Sequence, residues 1–124
     1  MSTRSIVKIV NKNYNVDLYH HYDGYPEGVG RQLMAIAYPI IQRFNCYGWK
    51  DLYRMLKEHD DDYRIAEGIH PDIEYLYTIN LKTKEIECFD GHYRGDDRNG
   101  YKWETCKVID LKQFLPIKQK VKYR

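Results

Sequence analysis

The sequence lacks most of the features that mark the commoner functional classes. Its longest apolar-rich run, Leu33 to Ile41, is far too short to span a bilayer. The opening M-S-T-R-S has no apolar signal-peptide core, so the expected location is the cytoplasm of the cell that makes the chain. Cysteine is scarce. Cys46, Cys88 and Cys106 stand far apart with no C-x-x-C pair, which argues for reduced, packed thiols rather than disulfides or zinc. There is no G-x-S-x-G elbow, no P-loop lysine, no dinucleotide-binding fingerprint in a parallel βαβ unit, no internal repeat and no low-complexity segment. Charge of one sign is missing too, with 20 basic residues against 18 acidic ones. Four of the basic residues are Lys118, Lys120, Lys122 and Arg124; the rest of the chain carries 16 basic against 18 acidic residues. That segment reads as a solvated tail or an edge strand, and long nucleic acid is not expected as a partner.

What is present fits one domain spanning residues 1–124. The chain is long enough for a single core and too short for two, and 43% hydrophobic residues with a mean hydropathy of −0.75 describe a globular protein. Thirteen tyrosines are the compositional outlier. A tyrosine buries its ring while keeping a hydroxyl for hydrogen bonding, so most of them are expected in the packing of a sheet.

The pattern along the chain predicts an α+β fold. Ser5 to Val10 is β-branched, Asn11-Lys12-Asn13 supplies a turn, and Tyr14 to Tyr22 alternates, which together read as a β-hairpin. Leu33, Ile36, Ala37, Ile40, Ile41 and Phe44 lie on one helical stripe, with a kink or restart expected at Pro39. Trp49, Leu52, Tyr53 and Leu56 mark a second helix that ends near Asp60-Asp61-Asp62, a run read as a solvated helix end. Arg64 to Ala66 suggests a short strand. Ile73 to Asn80 and Glu85 to Phe89 form a second hairpin, Asp90 to Gly100 reads as a polar glycine-rich loop, and Tyr101 to Ile109 as a further strand. Asp110 is placed to cap a short helix that Pro116 ends. The expected architecture is an antiparallel β-sheet built from hairpins and packed against two main α-helices.

Two stretches carry candidate chemistry. His20 to Arg31, H-H-Y-D-G-Y-P-E-G-V-G-R, places Gly24, Gly28 and Gly30 before a helix start, with Tyr25 in the loop and Arg31 in the first turn. Such a stretch suits an anion, because glycine permits close backbone approach and helix starts offer N–H groups. The same residues also suit a plain turn. In the second stretch Phe89 suits base stacking, Arg94 and Arg98 suit phosphate, and Asp90, Asp96, Asp97 and Asn99 suit ribose hydroxyls or a base edge. A metal on His20, His21, Asp23 and His92 is not expected, since adjacent strand residues point to opposite faces. No resident cofactor is expected either.

The M-S-T-R-S opening, the Y-D-G-Y-P-E-G-V-G loop and the Phe89–Asn99 segment resemble a family of small phage and prophage proteins. Within it the chain looks like the Thoeris anti-defence sponge proteins of the first described type. The resemblance implies a non-enzymatic phage immune-evasion protein acting in the cytoplasm of an infected bacterium. Such sponges bind, without hydrolysing, cyclic ADP-ribose isomers made from NAD by TIR-domain defence enzymes, and some also bind cyclic oligonucleotides at a second pocket. It further implies a homodimer or higher homo-oligomer whose pockets are completed by a loop of the partner, with Phe89 and Asn99 holding the ligand. Adding Arg31, Arg94 and Arg98 rests on their charge alone. Two other readings stay open: an inhibitor that binds a host protein, and a small nucleotide hydrolase using His20, Asp23 and His92.

Overall fold

The computed structural model describes residues 3–43, 48–66, 73–96, 100–103 and 107–115, with the backbone alone described for 91–96 and 100–103. Strands β1 (Ser5–Asn11) and β2 (Tyr14–His20) form the expected hairpin, with Ser5 opposite His20 and Asn11 opposite Tyr14. The chain leaves β2 through Asp23, whose φ of 52° is left-handed. Aspartate tolerates that region better than most residues do.

The first helical stretch starts earlier than the apolar stripe suggests. It opens with a π-helical turn at Pro26–Gly30, passes through a second at Leu33–Ala37, and continues as α1 (Tyr38–Arg43). Pro26 suits the opening because the first helical positions need no intrahelical N–H. Pro39 is accommodated by the restart at Tyr38. The Tyr38 N–H reaches back five residues to the Leu33 carbonyl, and this wider turn eases the clash a proline ring makes with the preceding turn. Leu33, Ala37 and Ile41 of the stripe are buried. Helix α2 (Trp49–His59) buries Leu52 and Leu56, and carries Asp51 in its first turn and Lys57 and His59 in its last, complementing the helix dipole.

The remaining strands are β3 (Arg64–Ile65), β4 (Ile73–Asn80), β5 (Glu85–Asp96), β6 (Gly100–Trp103) and β7 (Lys107–Ile109). They join the hairpin in one sheet of order β3-β2-β1-β4-β5-β6, with β7 also on β5. The sheet is mixed, which corrects the expectation of a purely antiparallel one: β1 and β4 pair in parallel, Ser5 beside Tyr75 and Val10 beside Asn80. The helices between β2 and β4 supply the long crossover that parallel neighbours need. A second correction concerns Asp90 to Gly100. Its first seven residues continue β5, which pairs with β6 from Tyr93↔Trp103 to Asp96↔Gly100, so the ladder meets the backbone hydrogen-bonding needs that a loop would leave to water. Of the single strand expected over Tyr101 to Ile109, the described residues form β6 at its start and β7 at its end, both paired with β5, and residues 104–106 lie outside the described residues. A 3₁₀ turn at Leu111–Phe114 follows, capped as expected by Asp110, whose carboxylate accepts the Lys112 N–H at 2.9 Å.

Paired residues share a face, so the register sorts the sheet into two sides. One side presents Leu18, Val7, Tyr77 and Cys88 in a row to the helices, and the main core forms there with Leu33, Met34 and Leu52. The other side presents Tyr19, Ile6, Leu76, Phe89 and Val108 in a row. Ile6 and Tyr19 are buried there with Ile73 in a smaller cluster, Phe89 is half-buried, and Val108 is 63% exposed. None of the described helices contributes to that smaller cluster.

A buried tyrosine ties the first loop to the sheet. The Tyr77 hydroxyl donates to the Gly24 carbonyl at 2.7 Å, fully inside the protein. Removing that donor strands a buried carbonyl oxygen. Tyr77→Phe is therefore expected to lower the unfolding free energy by about 1–3 kcal/mol, read as a lower urea midpoint at unchanged slope.

Candidate functional site

The loop from His20 to Arg31 is packed more tightly than a ligand cradle would be. A Cβ on Gly24 would lie 2.7 Å from the Thr3 carbonyl oxygen, and one on Gly28 would lie 2.1 Å from that of Asp23. A Cβ on Gly30 would lie 2.9 Å from the Leu111 side chain. These glycines let the loop press against β1, against itself and against the 3₁₀ turn. The donors of the helix start are engaged as well: the Gly28 N–H bonds to the Tyr25 carbonyl at 2.9 Å and the Val29 N–H to that of Asp23 at 3.0 Å. What the loop offers outward is side chains. Tyr25 is exposed, with its hydroxyl donating to the Asp23 carboxylate at 3.1 Å. That hydrogen bond pushes the Tyr25 hydroxyl's pKa up, and the Asp23 charge adds to it. Arg31 is exposed, with Nε donating to the Glu27 carbonyl at 3.3 Å and its guanidinium 4.9 Å over the Phe114 ring.

Beneath the loop lies a polar knot that the sequence reading missed. His20 is 1% exposed, and its Nε2 lies 2.8 Å from Asp60 Oδ2. Its Nδ1 lies 3.2 Å from Asp62 Oδ2, an approach too oblique for a hydrogen bond, and its ring packs edge-on against Tyr63 at 4.5 Å. Asp62 Oδ2 also accepts the backbone N–H groups of His21 and Tyr22, both at 2.8 Å. Gln32 completes the knot, donating to Asp60 at 3.2 Å and accepting the Tyr63 hydroxyl at 2.7 Å. The acidic run is thus not a solvated helix end: Asp60 and Asp62 turn inward, and Asp61 alone is exposed. The signal was there in a histidine at an inward strand position and a triple aspartate 40 residues on. The knot also seals His20 from solvent, which separates it from the exposed Asp23. Among the described residues, no group of three His, Cys, Asp or Glu side chains is placed to hold a metal ion.

The structure brings some of the predicted residues together and separates others. Asp90 stands opposite Tyr75 in the ladder, on the side that faces the helices. Burial pushes the Tyr75 hydroxyl's pKa up, and the charges of Asp90, Cys88, Glu74 and Glu27 add to that, so Glu27 of the first loop and Asp90 of β5 act on the same hydroxyl. Phe89 lies on the other side of the sheet, opposite Leu76 and Val108. It cannot share a pocket with Arg31 of the same chain unless that pocket crosses the sheet. Just beyond Asp90 the ladder slips: Gly91 and His92 stand opposite Glu74 alone, a β-bulge, before Tyr93 pairs with Ile73. Arg94 follows in β5, opposite Lys102. Arg98 and Asn99, with Asp97, lie outside the described residues.

A cleft of about 500 Å³ opens elsewhere, where α1, the β4–β5 turn and the end of β7 meet. Met34, Tyr38, Ile86, Ile109 and Leu111 form its apolar wall. Its charges are mixed, with Lys84 and Lys112 against Glu85, Glu87 and Asp110. None of the sequence-predicted ligand residues among those described lines it. Its size falls inside the range of about 300–1,000 Å³ common for ligand sites.

No protein-family model matches the chain, and no curated protein or solved structure matches it. No described helix is long and apolar enough to cross a membrane.

The knot has a pH signature. Burial alone would raise the pKa of Asp60, but hydrogen bonds from the Asp62 N–H, His20 and Gln32 outweigh it and hold the carboxyl below its ordinary value. The stability it contributes is present above the unfolded carboxyl pKa of about 4 and lost as the pH falls through the lower folded value. Asp60→Asn is expected to be less stable than the parent at pH 7 and to converge on it at about pH 2, in urea midpoints measured across that window.

Proposed function

We propose that this chain captures a compact nucleotide signal of the cyclic ADP-ribose type and holds it without cleaving it. The resemblance at the N-terminus, the D-G-Y-P loop and the Phe89–Asn99 segment motivates the reading. The observation that carries it is the buried hydrogen bond from Tyr77 to the Gly24 carbonyl, which seats the first loop, with its Glu27, on β4 two residues from Tyr75, where Asp90 stands opposite. In this reading the two carboxylates accept ribose hydroxyls, the exposed Arg31 meets phosphate, and Phe89 stacks the base.

Phe89 and Arg31 lie on opposite sides of the sheet, so a pocket that uses both either reaches around the sheet edge or takes them from two copies of the chain, and this reading takes the second course. Affinity points the same way. At about −0.3 kcal/mol per atom a ligand of about 35 heavy atoms contributes about −11 kcal/mol, short of the about −12.3 kcal/mol of nanomolar capture. A sponge therefore needs near-complete enclosure, which a second copy supplies.

The test is calorimetry with cyclic ADP-ribose isomers, followed by heating the complex and weighing the released ligand by mass spectrometry. Intact ligand supports capture, and a changed mass supports hydrolysis instead. No binding, with one host protein retained in stoichiometric amount, favours the inhibitor reading. Phe89→Ala and Arg31→Ala are each expected to weaken capture by about tenfold or more, the loss of one stacking or charge-assisted contact. Unchanged binding in both variants would sink the proposed pocket.

A further inference from the structure

We propose that the basic segment 117–124 docks in the cleft beside β5 as an added strand of the same chain. The outer edge of β5 is only partly covered. β7 pairs with Cys88, Phe89 and Asp90, after which the chain leaves the sheet at Asp110 for the 3₁₀ turn. Glu85, Ile86 and Glu87 are therefore left without a strand partner on that side among the described residues. An open edge of this kind is a template for one more strand.

The cleft runs along this edge and selects its occupant by chemistry. On the helix side Met34, Tyr38, Ile86 and Leu111 form an apolar wall. Glu85 and Glu87 alternate with Ile86, so they point to the opposite side of the strand, where both are exposed. An occupant strand needs apolar side chains on one face and positive charge on the other. Residues 117–124, I-K-Q-K-V-K-Y-R, have that pattern at all positions but Gln119: Ile117, Val121 and Tyr123 share one face with Gln119, and Lys118, Lys120, Lys122 and Arg124 share the other. Strand pairing would seat the apolar set in the cleft and set lysines across from Glu85 and Glu87, an arrangement favoured for cross-strand pairs. The reach is sufficient. The segment follows Leu115, which is buried close behind the cleft-lining Leu111 and Lys112, and eight extended residues cover about 26 Å.

The experiment keeps the whole chain and reads amide hydrogen exchange by NMR. Those Glu85–Glu87 amides that point away from β4 are expected to be protected in the parent. Replacing Lys118, Lys120 and Lys122 with Glu should speed their exchange by about tenfold, as should Glu85→Lys with Glu87→Lys, while Val7 and Ile79 in the core stay protected. Combining the two sets restores opposite charges and should restore protection. Nuclear Overhauser contacts from 117–123 to Glu85–Glu87 are expected within one chain in a mixture of labelled and unlabelled protein. Exchange that neither charge set alters, or that the combination fails to restore, overturns the proposal. Contacts that arise only between chains overturn it in favour of a second copy as the occupant.

Discussion

The interaction on which the molecule turns is the buried His20 imidazole beside Asp60 and Asp62. The helical stretch, α2 and the end of β2 meet at this knot, and none of them is joined to the others there by backbone ladder. Gln32 brings in the first helix, Tyr63 and the two aspartates bring in the chain after α2, and the His21 and Tyr22 amides bring in the strand end. A polar group with almost no exposure costs several kcal/mol unless it is hydrogen-bonded, whereas charge-assisted bonds return about 1.5–3 kcal/mol each. Nearly every polar atom of the knot has a partner, so the cost is offset and the geometry is specified. The D-G-Y-P loop begins two residues after His21, so the position of any site on that loop follows from this knot.

The sheet imposes the second constraint. Because side chains alternate, Phe89 and Asp90 must face opposite ways, however attractive it is to read them as one ligand wall. Asp90 joins Tyr75 on the helix side, and Phe89 joins Leu76 and Val108 on the other. A ligand held by both sets of groups therefore requires either a second copy or a path around the sheet edge.

Local signals in the sequence were informative where local physics decides the outcome. The period of two in Tyr14 to His20, the stripe from Leu33 to Ile41, the restart at Pro39 and the Asp110 cap are each set by a few neighbouring residues, and each was legible. The parallel contact of β1 with β4 joins residues 70 apart in sequence, Ser5 with Tyr75, and nothing in either strand announces a partner. The continuation of β5 through G-H-Y-R-G-D was hidden for a different reason. Glycine and charge signal a loop, and it is pairing with β6 that outweighs this composition. Asp60 to Asp62 misled by the same route, since a charged run is usually solvated and it is His20, Gln32 and the His21 and Tyr22 amides, all distant in sequence, that make the inward orientation favourable.

The glycine loop shows how the same residue type serves packing and binding differently. Gly24, Gly28 and Gly30 would each carry a Cβ into contact with backbone or side chain of this same protein. A phosphate cradle needs that space, and the N–H groups around it, left open. Here Tyr25 and Asp23 carbonyls take the Gly28 and Val29 donors. Any recognition at this loop would come from the side chains it displays, Tyr25, Glu27 and Arg31, rather than from its backbone. A backbone cradle accepts almost any phosphate, whereas side chains held by a rigid loop discriminate by shape and by where each charge falls. For the capture proposed above, the second design is the more selective. The tight glycines are what let the loop pack against β1 and the 3₁₀ turn.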